Sequence, residues 1–308
     1  MKVLFVASGN KAGGRVSAFV QSQYDSLEKE GLDMLLYPVV GHGWKGYAKH
    51  IRAIRHWVRR EKPDVVHAHY SSCGYLASLA CIGLKTKVVV SILGSFPRKS
   101  PKLKTVRFFI DHIWDATIVK SERTRAQLDR NLPVIPNGVD LDLFPLMPQE
   151  EARTKVDFAV GQKYVIFVSD PSRPEKQFGL AQAAVERLGD KTVHLVPVFN
   201  KPHKEVVDYM CAADVLIMTS SNEGSPNVIK EAMACNCPIV VTDVGDVRWV
   251  TDGVDGTYVS RSFEPEELGC LLEKALTFGG RTCGRERIQE LGLTSDRVAQ
   301  RIMNVYSA

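Results

Sequence analysis

The sequence predicts two doubly wound α/β domains, and three observations lead there. The chain has 308 residues, more than one ordinary core holds and enough for two domains of about 150 residues each. Short β-rich apolar runs alternate with longer helical patterns, as they do where parallel strands are joined by crossover helices. The alternation runs to completion once and restarts after Phe144-Pro-Leu-Met-Pro-Gln-Glu-Glu151, whose prolines and charges mark a linker.

Six strands are expected in the first half: Val3–Ser8, Met34–Val40, Val65–His69, Val88–Leu93, Thr117–Ser121 and Val134–Pro136. Five follow in the second: Tyr164–Asp170, Val193–Val198, Val215–Ser220, Ile239–Asp243 and Thr257–Ser260. Helices are expected between them, among others over Phe178–Leu188, Pro226–Cys235 and Pro265–Phe278. The expected domains are 1–148 and 149–308, with the last helix allowed to pack back on the first.

With 44% hydrophobic and 24% charged residues the composition is that of a soluble globular enzyme, and neither a disordered nor a membrane composition fits. The apolar run Val3–Ala7 is too short for a signal h-region and no stretch is long enough to span a bilayer, so a cytoplasmic location is expected. Seven cysteines without a C-x-x-C pair read as reduced core residues. The net charge of +5 is uneven: residues 1–150 hold 22 Lys/Arg against 13 Asp/Glu, while the remainder holds 18 against 22.

In open parallel sheets ligands bind beyond the carboxyl ends of the strands. The loop after the third strand of the second half reads Ser220-Ser-Asn-Glu223-Gly224-Ser225-Pro226-Asn227 and runs into a helix carrying Glu231. Ser225 is a good N-cap and Pro226 suits the first helical position. Glu223 and Glu231 then flank a helix N-terminus, whose N–H groups and positive dipole end favour a phosphate. A carboxylate accepts two hydrogen bonds from a vicinal diol, so phosphate and ribose together point to a nucleotide. After the first strand of this half, Arg173 offers a planar fork and Lys176 a mobile charge, a pair able to neutralise a diphosphate without magnesium. Asp140-Leu-Asp142 has D-x-D spacing but stands away from these loops, and no metal site is assigned.

These residues resemble the retaining glycosyltransferase family 4 of the GT-B fold. Its E-x7-E motif is met by Glu223 and Glu231. Further matches are Ile135-Pro-Asn-Gly-Val-Asp140 with Phe144, and Ala213-Asp214-Val215. The resemblance implies two Rossmann-like domains with parallel sheets facing across a cleft and a metal-independent hexosyltransferase (EC 2.4) without cofactor. It places Glu231 on the donor ribose, Glu223 beside the transferred sugar, and Arg173 and Lys176 on the diphosphate. Gly224, Ser225, Pro226 and Asn227 complete the donor site at the helix start. The donor is a nucleotide diphosphate-sugar, UDP-sugar by the family's habit, and the acceptor a glycan or lipid-linked molecule in polysaccharide or cell-envelope synthesis. Asn236 replaces a family glycine after the motif helix and is the next-best residue for a left-handed end.

In the first half, Ser8-Gly-Asn-Lys-Ala-Gly13-Gly14 lets the backbone approach a phosphate or sugar, or makes a tight turn. It is neither a dinucleotide fingerprint nor a P-loop. Alternation puts His67 and His69 on one face of a strand; no third ligand is in view for zinc, and His69 is expected to touch sugar or acceptor. Ser95 is a second such candidate. Leu93 stands where family members carry a histidine, so that residue's role is not carried over. The basic surplus concentrates in Lys45–Arg60 and Arg98–Arg107. Ile51, Ile54 and Val58 form one helical stripe, and Lys45, Lys49, Arg52 and Arg59 another face. Such a face is either a solvated helix surface or a contact with anionic lipid on the inner face of a membrane; aromatic-plus-basic platforms for nucleic acid are missing. Two rivals remain: a sugar-nucleotide 2-epimerase of the same architecture, and a catalytically degenerate binding subunit.

Overall fold

The computed structural model describes residues 1–94, 96 and 100–308. The chain divides into two compact units, Met1–Gly138 with Ser295–Ala308, and Val139–Thr294.

In the first unit β1 (Lys2–Ser8), β2 (Asp33–Val39), β3 (Val65–His69), β4 (Lys87–Ile92) and β5 (Ala116–Val119) form a parallel sheet in the order β2-β1-β3-β4-β5. Val3 to Ala7 are all fully buried, because helices cover both faces of this central strand. Val3, Phe5 and Ala7 pack with Val20, Leu27, Ile302 and Tyr306, whereas Leu4 and Val6 pack with Ile54, Val58 and Leu76. The strand period of two thus splits one apolar run between two cores. The C-terminal helix Ser295–Ser307 belongs to this unit: its Tyr306 hydroxyl lies 2.6 Å from His67 Nδ1, and Arg301 donates to the Val134 carbonyl.

The expected sixth strand is reduced to a bridge between Val119 and Val134. Pro133 and Pro136 bracket it, and a residue without an N–H cannot extend the ladder beyond the two bonds that Val119 makes there. The basic segment forms two helices, Gly43–Ala48 and His50–Glu61, and its stripe is as expected, with Ile54 and Val58 buried.

The second unit repeats the arrangement. β6 (Lys163–Phe167), β7 (Val193–Pro197), β8 (Val215–Met218), β9 (Ile239–Thr242) and β10 (Thr257–Ser260) lie in the order β7-β6-β8-β9-β10, all parallel. In both sheets the first strand of the unit stands between the second and third. The order therefore reverses between β1 and β3 in one and between β6 and β8 in the other, which is where such sheets bind ligands. Val165 and Phe167 face the helices Phe178–Glu186 and Pro265–Phe278, and Ile166 faces His203–Ala212 and Asn227–Ala234.

The division between units falls at 138/139 rather than 148/149, for a local reason. Val139 N–H bonds the Leu293 carbonyl, Phe144 is buried in the second core, and Arg285 donates to the carbonyls of Leu141, Phe144 and Ala234. The family-like Asp214 is structural: its carboxylate accepts from Tyr164 N–H and from Arg153. Among the cysteines Cys270 and Cys283 are exposed, not core residues; the other five are buried.

Candidate active site

The site is built where β6 and β8 end. The loop after β6 tightens into a single turn, Pro174–Lys176, and the loop after β8 leads to the helix Asn227–Ala234. Thr219 Oγ1 donates toward the carbonyls of Lys176 and Gln177, and Ser221 N–H bonds the Glu175 carbonyl. These bonds stitch the two loops together and bring Lys176 against Glu223, Nζ to Oε1 at 2.5 Å, with side chains 17% and 19% exposed. A cation and a carboxylate thus share one half-covered place at the switch point.

Arg173 stands in the same turn but turns outward, its guanidinium donating twice to Glu175. Lys176 and Glu223 are paired directly; Arg173 is not part of that pair. Asp170 closes the start of the loop by accepting from the N–H and hydroxyl of Ser172, which holds its carboxyl below the usual range.

The helix beyond begins at Asn227, with Pro226 in the N-cap place and no side-chain cap. Ser225 does not cap it, contrary to expectation. Its hydroxyl instead accepts from Lys230 Nζ at 2.8 Å, a lysine only 1% exposed inside the helix. Burial lowers the pKa of Lys230 and raises that of Asp246, and each charge steadies the other. Asp246 follows Gly245, whose positive φ lets the loop after β9 lie directly on the Glu223–Gly224 backbone. Gly224, Ser225 and Pro226 are consequently buried, and Asn227, Val228 and Glu231 form the half-open face of the helix.

Glu231 lies on that face as the motif required, with a partner that periodicity could not reveal. His203, at the start of the helix after β7, places Nε2 3.7 Å from Glu231 Oε1. The Glu231 carboxylate beside it raises the pKa of His203 above its ordinary value, against the opposing effect of burial. Lys230, Asp246 and His203 carry no recognisable spacing; a lysine at a buried helical position was the single available signal.

Asn236 ends the helix at φ +54, the left-handed conformation expected of it, and its side chain accepts from Arg285 N–H. Asp140 Oδ1 accepts the Asp142 N–H, an ordinary turn contact. Among the described residues no three His, Cys, Asp or Glu side chains gather as a metal site would need.

In the first unit Gly13 and Gly14, at φ +71 and +73, shape a short turn after β1. His67 and His69 do share one face, their rings stacked at 4.5 Å. Both are fully buried: His67 is held by Tyr306 and Ser91 Oγ, while neither His69 nitrogen has a hydrogen-bond partner among the described residues. His69 therefore does not present a surface to sugar or acceptor, because Phe5 and His67 pack against its ring. Ser95 lies outside the described residues, as does part of the second basic run.

A doubly wound unit with a cation, two carboxylates and a helix start at its switch point is a candidate ligand site. The comparisons narrow it. Two family models match, Glycosyltransferase Family 4 over residues 9–143 and Glycosyl transferases group 1 over residues 160–277. Each unit thus matches a glycosyltransferase model, and the fold is the two-domain GT-B fold of glycosyltransferases. It is 27% identical over 213 residues to the putative teichuronic acid biosynthesis glycosyltransferase TuaC of Bacillus subtilis, covering 60% of this chain and 54% of that protein. It is 30% identical over 129 residues to the lipopolysaccharide glucosyltransferase WaaG of Escherichia coli, covering 41% of this chain and 32% of that one. The match thus spans about half of the first relative's length and a third of the second's. Among solved structures, Anabaena HepE in complex with UDP-glucose has a TM-score of 0.76 at 17% identity, covering 100% of this chain and 99% of that one.

Proposed function

We propose that the protein is a retaining, metal-independent glycosyltransferase that moves a sugar from a nucleotide diphosphate-sugar to a glycan or lipid-linked acceptor. The observation that supports this most is the Lys176–Glu223 pair where β6 and β8 end, beside a helix that carries Glu231 on its open face. The diphosphate lies at the helix start, where N–H groups and dipole favour anions, with Lys176 and Arg173 as counter-charges. Arg173 reaches it by exchanging Glu175 for phosphate. Glu231 accepts the ribose hydroxyls and Glu223 holds the sugar. The bond from the anomeric carbon to the phosphate oxygen breaks with its electron pair on the diphosphate. The acceptor oxygen forms the new bond on the same face, and its proton passes to the departing phosphate. Charge on the sugar in the transition state is stabilised by Glu223.

UDP is the first choice of nucleotide because HepE, which shares the fold, binds UDP-glucose. Polysaccharide or cell-envelope synthesis is the setting that fits TuaC. Among the described residues no helix is long and apolar enough to cross a membrane. The basic face of the first unit, with Lys45, Lys49, Arg52 and Arg59 exposed, suits a peripheral contact with anionic lipid.

The test is incubation of the protein with UDP-glucose, UDP-N-acetylglucosamine and GDP-mannose in EDTA, following nucleotide release and the anomeric configuration of the released or transferred sugar by NMR. Release with the donor configuration kept supports the reading. Inversion, or turnover that requires added magnesium, contradicts it, and conversion to the 2-epimer without nucleotide release replaces it.

A further inference from the structure

Glu231 is a carboxylate on a half-open helix face, and such a side chain has several rotamers of which few suit a ribose. His203 restricts them. The residue follows Pro202, which stands at the N-cap of the helix His203–Ala212, and its ring stands edge-on to Phe144 with centroids 5.0 Å apart and planes at 89°. Phe144 is itself buried, and its carbonyl is held by Arg285. The imidazole is therefore braced from behind by a fixed surface. Its Nε2 lies 3.7 Å from Glu231 Oε1, while the two side chains keep 45% and 21% of their surface exposed, so a ligand can reach the pair.

The neighbouring charges are otherwise engaged. Lys201 pairs with Glu205 and lies over the Tyr209 ring, and Lys230, on the helix of Glu231, is buried with its Nζ on Ser225. One carboxylate oxygen thus faces a braced imidazole.

We propose that His203 is a positioning residue that holds the Glu231 carboxylate in the orientation that accepts the ribose hydroxyls of a nucleoside diphosphate. The inference rests on the donor-site reading above and deepens it. A carboxylate ordered beforehand spares the ligand the loss of its rotamer freedom, so removing the brace weakens ribose binding by about 3- to 10-fold.

The experiment is calorimetric titration of UDP, GDP and ADP into wild type, His203→Ala and His203→Gln, followed by the 2′-deoxy form of whichever binds most tightly. Wild type is expected to prefer the ribose form. In His203→Ala that preference narrows by about 3- to 10-fold, through weaker binding of the ribose form alone. His203→Gln, whose amide N–H still donates, recovers part of it. An undiminished preference in a folded His203→Ala overturns the proposal, as does equal weakening of both forms, which marks a merely structural role. Should His203→Ala not fold, His203→Gln with the wild-type 2′-deoxy discrimination lost overturns it too, since the retained donor is expected to preserve part. Wild type that binds none of the three, or shows no ribose preference, overturns the donor-site reading and this one with it.

Discussion

Replacing Gly245 by alanine presses on the backbone that carries Glu223. Gly245 has φ +61, and a Cβ there would stand 2.6 Å from the Gly224 carbonyl oxygen and 3.2 Å from that of Glu223. A left-handed conformation costs an L-residue about 1–2 kcal/mol. The nearer contact must also open by roughly half an ångström, and because both partners are backbone no side chain can turn aside; overpacking of this kind adds about 1–3 kcal/mol. The total of about 2–5 kcal/mol lowers Tm by about 4–20 °C for a unit of this size. Gly189→Ala is the control: φ is +62, but nothing lies within 4 Å of its Cβ, so only the conformational part is lost. Displacing Glu223 by half an ångström is expected to lower turnover about tenfold. Calorimetry and donor turnover on the two variants decide the matter. Equal losses of Tm in both, with turnover unchanged in Gly245→Ala, would refute the tight seating of the loop.

Lys230→Met leaves the buried Asp246 carboxyl without the nearby positive charge that offsets its burial and is expected to cost about 3 kcal/mol in urea unfolding, most of it recovered when Asp246→Asn is added; a single variant as stable as wild type contradicts that coupling. His67 is pushed down to about 3, chiefly by burial and then by the Lys120 charge, and His69 well below 6.5 for the same first reason. Both fold neutral and charge on unfolding, so stability falls as pH drops below about 6.5, by up to about 1.4 kcal/mol per pH unit for each histidine. Urea midpoints unchanged between pH 7 and 5 would contradict this. His203 acts in the opposite sense: its raised pKa gives a contribution that is full below 6.5 and lost as pH rises through the raised value. The Tm difference between wild type and His203→Gln should accordingly shrink as pH increases, and a constant difference speaks against the ion pair. Glu223→Gln is expected to lose turnover by about 100-fold or more while nucleotide affinity stays within about 3-fold; equal turnover removes the role given to Glu223.

The strands were legible because each is a short apolar run, buried on both faces in the middle of each sheet, and ten of the expected runs are strands. The eleventh, Val134–Pro136, looked the same by composition, but its prolines leave it one bridge. The E-x7-E carboxylates and Lys176 could be read because a strand, a loop and a helix start occur in fixed order, and order along the chain survives folding. Contacts between separate elements do not show in that order. The turn of Ser225 toward Lys230, the burial of His69 behind Phe5, and the bracing of His203 on Phe144 each depend on which helix packs where. The boundary was misplaced for a similar reason, since the arginine that fixes Leu141 and Phe144 to the second unit lies at position 285.

The proposed nucleotide site lies at the ends of β6 and β8, held by Lys176, Glu223 and Glu231. Its most direct measurement is calorimetric titration of UDP, GDP, ADP and dTDP into the full chain in EDTA, repeated with Glu231→Ala. Saturable binding of one nucleoside diphosphate without metal is expected, weakened about 10-fold or more in the variant by loss of hydrogen bonds to a charged group. Binding of none of them, or equal binding by the folded variant, would contradict it.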